Sequence, residues 1–250
     1  MPPLRHVTSG LLSFLLRVLN MNFGEALFRD REDAGRRLAE RLAKYRDEDP
    51  VVLALPRGGV PVGYEVARAL KAPLDVFIAR KLGAPNQPEL GIGAVAQDGT
   101  LVLNERIVEE IGVSKEYVQR IAAEEMEEAR WRIKLFRGER PEPEIRVRTA
   151  ILVDDGIATG VTTRAAMKAL RRRDPRRLVL AVPVCAARTA EALRKEVDEL
   201  ICLEARSDLM SIGLWYRNFE QISDEEVIEL LERARREQEE LGANDPDRRT

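Results

Sequence analysis

The stretch AILVDDGIATGVTTRAAMKAL, residues 150–170, concentrates side chains that can do chemistry. Four apolar residues supply a strand, and its carboxyl end delivers two adjacent carboxylates, Asp154 and Asp155. A small-residue turn from Gly156 to Gly160 then opens a helix with Thr159, Thr162 and Thr163 around its start. A turn into a helix N-terminus aims unpaired backbone N–H groups and the positive end of the helix dipole at one point. Hydroxyls add further donors, so the turn suits a phosphate. The carboxylates need a different partner, since like charges repel. Vicinal sugar hydroxyls suit them, because each ionised oxygen accepts a hydrogen bond from a neutral donor. Together the two halves describe a pocket for a ribose 5-phosphate. Helix capping alone would need one aspartate, and two side by side repel without compensation.

Three other segments carry candidate chemistry. Pro56-Arg57-Gly58-Gly59 follows the first apolar run; Gly58 and Gly59 let backbone amides approach an anion, and Arg57 adds a charged fork. Arg80 and Lys81 stand at the root of KLGAPNQPELG, a Gly/Pro/Asn-rich stretch that reads as a mobile loop able to close over a leaving group. Glu89, in the same stretch, could serve as a general acid–base group. Near the carboxyl end, IGLWYRNFEQ offers Trp215, Tyr216 and Phe219 for stacking on a flat base, worth ~1–3 kcal/mol per base. Each segment also has a plainer reading: a tight turn, a solvated charge pair, a surface glutamate, an apolar anchor for the last helix. Gly91-x-Gly93-x-x-Ala96 leads into a hairpin and not a helix, which removes a dinucleotide fingerprint, and no phosphate-binding G-x-x-x-x-G-K-[ST] exists. The basic cluster Arg171–Arg177 lies at a helix end, where cations complement the dipole.

The elements that must position these groups alternate. DREDAGRRLAERLAK (30–44) has helical spacing, VVLALP from Val51 is a buried strand, and GVPVGYEVARALK resumes a helix. DVFIAR (75–80) is a second strand, and residues 93–104 read as a hairpin turning at Asp98-Gly99 through a primed turn. Ser114 caps a helix to about Arg137, Arg140–Arg148 is a connector, and TAILV is a third strand ahead of the helix 160–172. RLVLAVPV and ELICLEA flank a helix from Thr189 to Glu196, and Asp224 caps a final amphipathic helix. Such alternation implies βαβ units: an α/β fold with a mainly parallel central sheet and helices on both faces.

The motif VDDGIATGVTT resembles the phosphoribosylpyrophosphate-binding motif of type I phosphoribosyltransferases: a hydrophobic strand, the acids Asp154 and Asp155, then Ala158, Thr159, Gly160 and Thr162. The resemblance covers roughly Asp30 to Glu204. It implies that residues 154–162 (Asp154, Asp155, Gly156, Ile157, Ala158, Thr159, Gly160, Val161, Thr162) bind phosphoribosylpyrophosphate. Pyrophosphate would fall to Arg57, Gly58, Gly59, Arg80 and Lys81, and catalysis to Asp154, Asp155, Arg80, Lys81 and Glu89. Trp215 and Tyr216, in a small hood built from the hairpin and the carboxyl end, would cover a nitrogenous acceptor. Mg²⁺ would be held mainly through substrate and water, with no direct protein ligand assigned. Gly156 stands where a larger apolar residue is usual and is expected to loosen the loop. Ala158 replaces the acid of the hypoxanthine/guanine branch, which points to other acceptors. The resemblance also implies a role in nucleotide metabolism and, commonly, a homo-oligomer. A non-catalytic sensor with the same pocket and a hydrolase using water are the rivals.

Composition is compatible with all of this. The 250 residues hold 44 % hydrophobic and 34 % charged side chains with a formal net charge of −2, which disfavours a general nucleic-acid binder. One histidine, His6, excludes histidine-based catalysis, and Cys185 and Cys202 read as buried reduced thiols of a cytoplasmic protein. The apolar run Leu11–Leu19 is too short to span a bilayer, and residues 1–20 read as an extension before a start at Met21. Residues 21–241 then form one domain, and 242–250 a flexible tail.

Overall fold

The computed structural model describes residues 26–243; the extension assigned to residues 1–20 and most of the assigned tail lie outside them. Chain order is α1 (Arg31–Leu42), β1 (Pro50–Ala54), α2 (Gly59–Leu70), β2 (Leu74–Val76), β3 (Ala79–Ala84), β4 (Gln87–Ala96) and β5 (Leu101–Leu103). There follow α3 (Glu105–Glu110), α4 (Lys115–Arg137), β6 (Thr149–Val153), α5 (Val161–Arg171), β7 (Arg177–Ala186), α6 (Ala187–Leu193), β8 (Glu199–Arg206) and α7 (Asp224–Ala243).

β1 and β6 are buried at every position, as continuous apolar runs must be when both faces of a parallel sheet are covered. The sheet order is β2-β1-β6-β7-β8, with parallel pairing throughout. Leu38, Leu42, Val62 and Val66 from α1 and α2 cover one face through Val52, Ile151 and Val179. On the other face, Ala166 and Leu170 of α5 and Leu193 of α6 pack on Leu53, Leu152 and Leu180. The chain moves from β1 outward to β2 on one side and from β6 through β7 to β8 on the other. The switch point therefore lies between β1 and β6, and the register Ala54↔Val153 brings the ends of these strands level. Ligands of open α/β sheets bind outside the carboxyl ends at such a point. The loops 55–58 and 154–160 both leave from it.

The structure corrects several expectations. DVFIAR is not one strand: Leu74–Val76 joins the large sheet, while β3 starts at Ala79 in a separate antiparallel sheet, β3-β4-β5. KLGAPNQPELG is not a loop but the β3–β4 hairpin, turning at Pro85-Asn86 with Asn86 at φ 61°. Its glycines serve close packing: a Cβ on Gly83 would lie 2.8 Å from Pro88 O, and one on Gly93 2.5 Å from Val102 O. The β4–β5 hairpin is present, but Ala96 N donates to Thr100 O around a three-residue loop with Gly99 at φ 85°, in place of a primed two-residue turn. Ser114 caps α4 as its sequence implies, accepting from Tyr117 N. For α7 the cap is Ser223 and not Asp224. Ser223 Oγ accepts from Glu226 N while Glu226 Oε2 accepts from Ser223 N, a reciprocal capping box. The short helix α3, capped by Asn104, has no counterpart in the sequence reading.

Candidate active site

β6 delivers Asp154 and Asp155 at the switch point. Neither caps α5. Its N-cap is Gly160 at φ 73°, with no side-chain cap, and the first intrahelical bond runs from Arg164 N to Gly160 O at 2.9 Å. The amides of Val161, Thr162 and Thr163 thus precede the helical ladder, as a helix start that receives an anion requires. Thr159 is exposed and Thr162 half-buried, whereas the Thr163 side chain is buried.

The turn before α5 is anchored from neighbouring elements. Ile157 N donates to Val184 O and Ala186 N to Ile157 O, each at 2.9 Å, and Thr189 Oγ1 donates to Ala158 O at 2.6 Å. Gly156 does not loosen it. A Cβ there would lie 2.5 Å from Ile212 Cγ2 and 3.0 Å from Val184 Cγ1, so the side chain of Ile212 fills the volume that a larger residue would take.

The acid pair does not repel without compensation. Arg31, at the start of α1, donates from Nε to Asp155 Oδ2 at 2.8 Å and from Nη1 to Glu220 O at 2.8 Å. Its guanidinium lies 3.8 Å from the centre of the Phe219 ring. Asp155 N donates to Asp154 Oδ1 at 2.9 Å, and Tyr216 OH donates to Asp155 O at 2.5 Å. Burial and the charge of Asp155 push the Asp154 carboxyl well above the usual carboxylate range. Burial also raises Asp155, opposed by the Arg31 cation. Neither Arg31 nor Thr189 has a local signal: each lies far from its partner in sequence and only the fold joins them.

The β1 loop meets the same pair. A Cβ on Gly58 would stand 1.9 Å from Asp155 Oδ2, and one on Gly59 2.9 Å from Val153 O, so both glycines are required by close approach. The Pro56–Arg57 peptide bond is cis, and Arg57 Nη1 lies 3.8 Å from Asp224 Oδ1 at the start of α7.

Strand alternation separates Arg80 from Lys81. Arg80 turns toward α4, its Nε 2.7 Å from Glu125 Oε2. Lys81 faces the other way, into a cleft of ≈ 650 Å³ lined also by Glu89, Gly91, Asn104, Thr159, Val161 and Arg164. Lys81 Nζ lies 3.3 Å from Glu89 Oε2. The cleft thus joins the small sheet to the start of α5. Trp215 is half-buried under Arg206, whose guanidinium lies 4.4 Å from its ring. Tyr216 is buried, its ring centre 5.3 Å from that of Phe28 and 5.0 Å from that of Phe219. Cys185 is buried and Cys202 half-buried, and both are free thiols.

The family model described as "Phosphoribosyl transferase domain" matches residues 25–214. The chain belongs to that family. A phosphoribosyl transferase domain of this kind has relatives in two strains of Mycobacterium tuberculosis, CDC 1551 / Oshkosh and ATCC 25618 / H37Rv, each bearing the name "Putative phosphoribosyl transferase". Each is 44 % identical over 219 residues, covering 88 % of this chain and 49 % of the relative. The chain therefore spans about half the length of these curated relatives. The crystal structure of TT1426 from Thermus thermophilus is similar at 42 % identity and a TM-score of 0.70, over 82 % of this chain and 97 % of that one. Among the described residues of this phosphoribosyl transferase domain, no helix is long and apolar enough to cross a membrane.

Proposed function

We propose that the protein transfers the 5-phosphoribosyl group of phosphoribosylpyrophosphate to a nitrogenous, nucleobase-like acceptor and releases pyrophosphate. The observation that carries this reading is the meeting of two loops at the switch point: the acid pair with its amide-lined turn after β6, and Gly58-Gly59 after β1. Asp154 and Asp155 hold the ribose hydroxyls, while the turn from Gly156 to Thr162 takes the 5-phosphate at the start of α5. Arg57 and Lys81 are the cations for the pyrophosphate, with the backbone of Gly58 and Gly59 beside them. Trp215, held under Arg206, is the aromatic group assigned to a flat acceptor, which would take the place of that guanidinium, and Tyr216 supports the site by fixing the Asp155 carbonyl.

A Mg²⁺ ion fits this donor set. Two half-buried carboxyls, both raised above their usual range, gain from a divalent charge that arrives with the substrate. Asp154 and Asp155 would hold it through the bound substrate and water, and it would supply neutralisation of the leaving group's charge. The chain's own groups act by orientation and electrostatics. The C1–O bond to pyrophosphate breaks with its electron pair going to the leaving oxygen, a nitrogen lone pair of the acceptor forms the new bond to C1, and the proton that this nitrogen sheds passes to water or to Glu89 in the cleft. Ala158 supports an acceptor outside the hypoxanthine/guanine group.

A second reading, a regulator that binds the sugar phosphate without turnover, draws on the ion pair of Arg57 with Asp224, which occupies one of the two cations that transfer would use. Pyrophosphate release measured over a panel of purine, pyrimidine and small amide acceptors decides between them. Release that needs one acceptor supports transfer. Tight binding with silence over the whole panel supports the regulator, and release without any acceptor supports hydrolysis.

A further inference from the structure

We infer that Arg31 is a positioning residue for sugar binding, acting through Asp155 and tying it to the hood segment around Phe219 and Glu220; this rests on the function proposed above. The guanidinium is buried, with 9 % of its side chain exposed, and Asp155 keeps 14 %. It makes three contacts of different kinds with distant parts of the chain: a charged hydrogen bond to Asp155 Oδ2, a hydrogen bond to Glu220 O, and a face contact with Phe219. A planar fork can satisfy all three at once, whereas an ammonium is a single point charge. Because Oδ2 is held by Arg31, the orientation of the Asp155 carboxylate beside Asp154 is fixed, and with it the oxygens the pair can present to a sugar hydroxyl. The Asp155 backbone is fixed from the other side by Tyr216. The cation also opposes the rise that burial imposes on both carboxyls, Asp155 above all.

The test compares Arg31→Met, Arg31→Lys, Asp155→Asn and the double variant Arg31→Met/Asp155→Asn by calorimetry with ribose 5-phosphate and, separately, inorganic phosphate. Arg31→Met is expected to weaken ribose 5-phosphate about ten- to a hundredfold, the value of one charged hydrogen bond, and to leave inorganic phosphate binding unchanged. Arg31→Lys recovers part of that loss. The double variant loses no more than Asp155→Asn alone, because both act at one oxygen. Equal losses for both ligands would mean a general structural role, and losses that multiply in the double variant would mean direct contact with sugar. Either overturns the inference. A readout free of ligand separates it from the function: the Arg31 Nε–H proton resonance, shifted downfield by its short bond, is lost in Asp155→Asn. If that resonance behaves so but the parent protein binds ribose 5-phosphate no better than phosphate, the sugar-binding function fails, while the Arg31–Asp155 contact stands.

Discussion

Gly58→Ala probes the approach of the β1 loop to the acid pair with a single methyl. Gly58 has φ −61° and ψ −30°, helical angles that alanine adopts freely. The unfolded chain loses freedom, so the backbone effect alone would stabilise by about 0.4–1 kcal/mol. The methyl, however, would lie 1.9 Å from Asp155 Oδ2, 2.6 Å from its Cγ and 3.2 Å from Arg31 Nε. No carbon tolerates the first two distances, so the carboxylate must swing away and its 2.8 Å bond to Arg31 must break. A hydrogen bond between charged groups contributes about 1.5–3 kcal/mol. Subtracting the backbone gain leaves a net destabilisation of about 0.5–2.6 kcal/mol, or a fall in Tm of roughly 1–10 °C for a chain of this size. Urea unfolding gives the free energy, and calorimetry with ribose 5-phosphate gives the accompanying loss of affinity. A variant as stable as its parent, with ribose 5-phosphate affinity intact, would refute the reasoning: the loop would be free to withdraw, and the contact would not constrain the acids.

Three further outcomes are expected. Gly156→Leu forces a side chain into volume held by Ile212, and overpacking of this kind costs about 1–3 kcal/mol in urea unfolding, with recovery when Ile212→Ala is added. Lys81→Met should weaken pyrophosphate binding about ten- to a hundredfold by calorimetry, whereas Arg80→Met, which loses a pair with Glu125, should leave pyrophosphate affinity near that of the parent. Tyr64 donates to Glu237 Oε1 at 2.6 Å, and burial with that bond pushes its phenol up to about 12. The neutral form is favoured on folding, so its stabilising effect is complete below pH 10 and lost as pH rises toward 12. Unfolding free energies of Tyr64→Phe and the parent across that range should converge at the alkaline end.

What the sequence made legible was whatever depends on neighbours along the chain. The runs at Val51, Thr149 and Arg177 announce buried parallel strands because both of their faces are apolar, and Ser114 announces the start of α4 because a cap bonds three residues ahead. The acids and the turn into α5 were legible for the same reason. The β3–β4 hairpin was not, because Gly83, Gly91 and Gly93 look like flexibility when their task is to let strands and Lys81 pack closely. Arg80 and Lys81 looked equivalent until the pleat sent them to opposite faces. The partners that finish the site, Arg31, Thr189 and Ile212, come from three elements far from residues 154–160, and no spacing rule connects them.

The plug that Ile212 drives into the space beside Gly156 has a consequence for divergence. A relative cannot shrink or enlarge position 212 alone without leaving a void or a collision beside position 156. The two positions are therefore inherited as a set, and compensating changes at them should travel together.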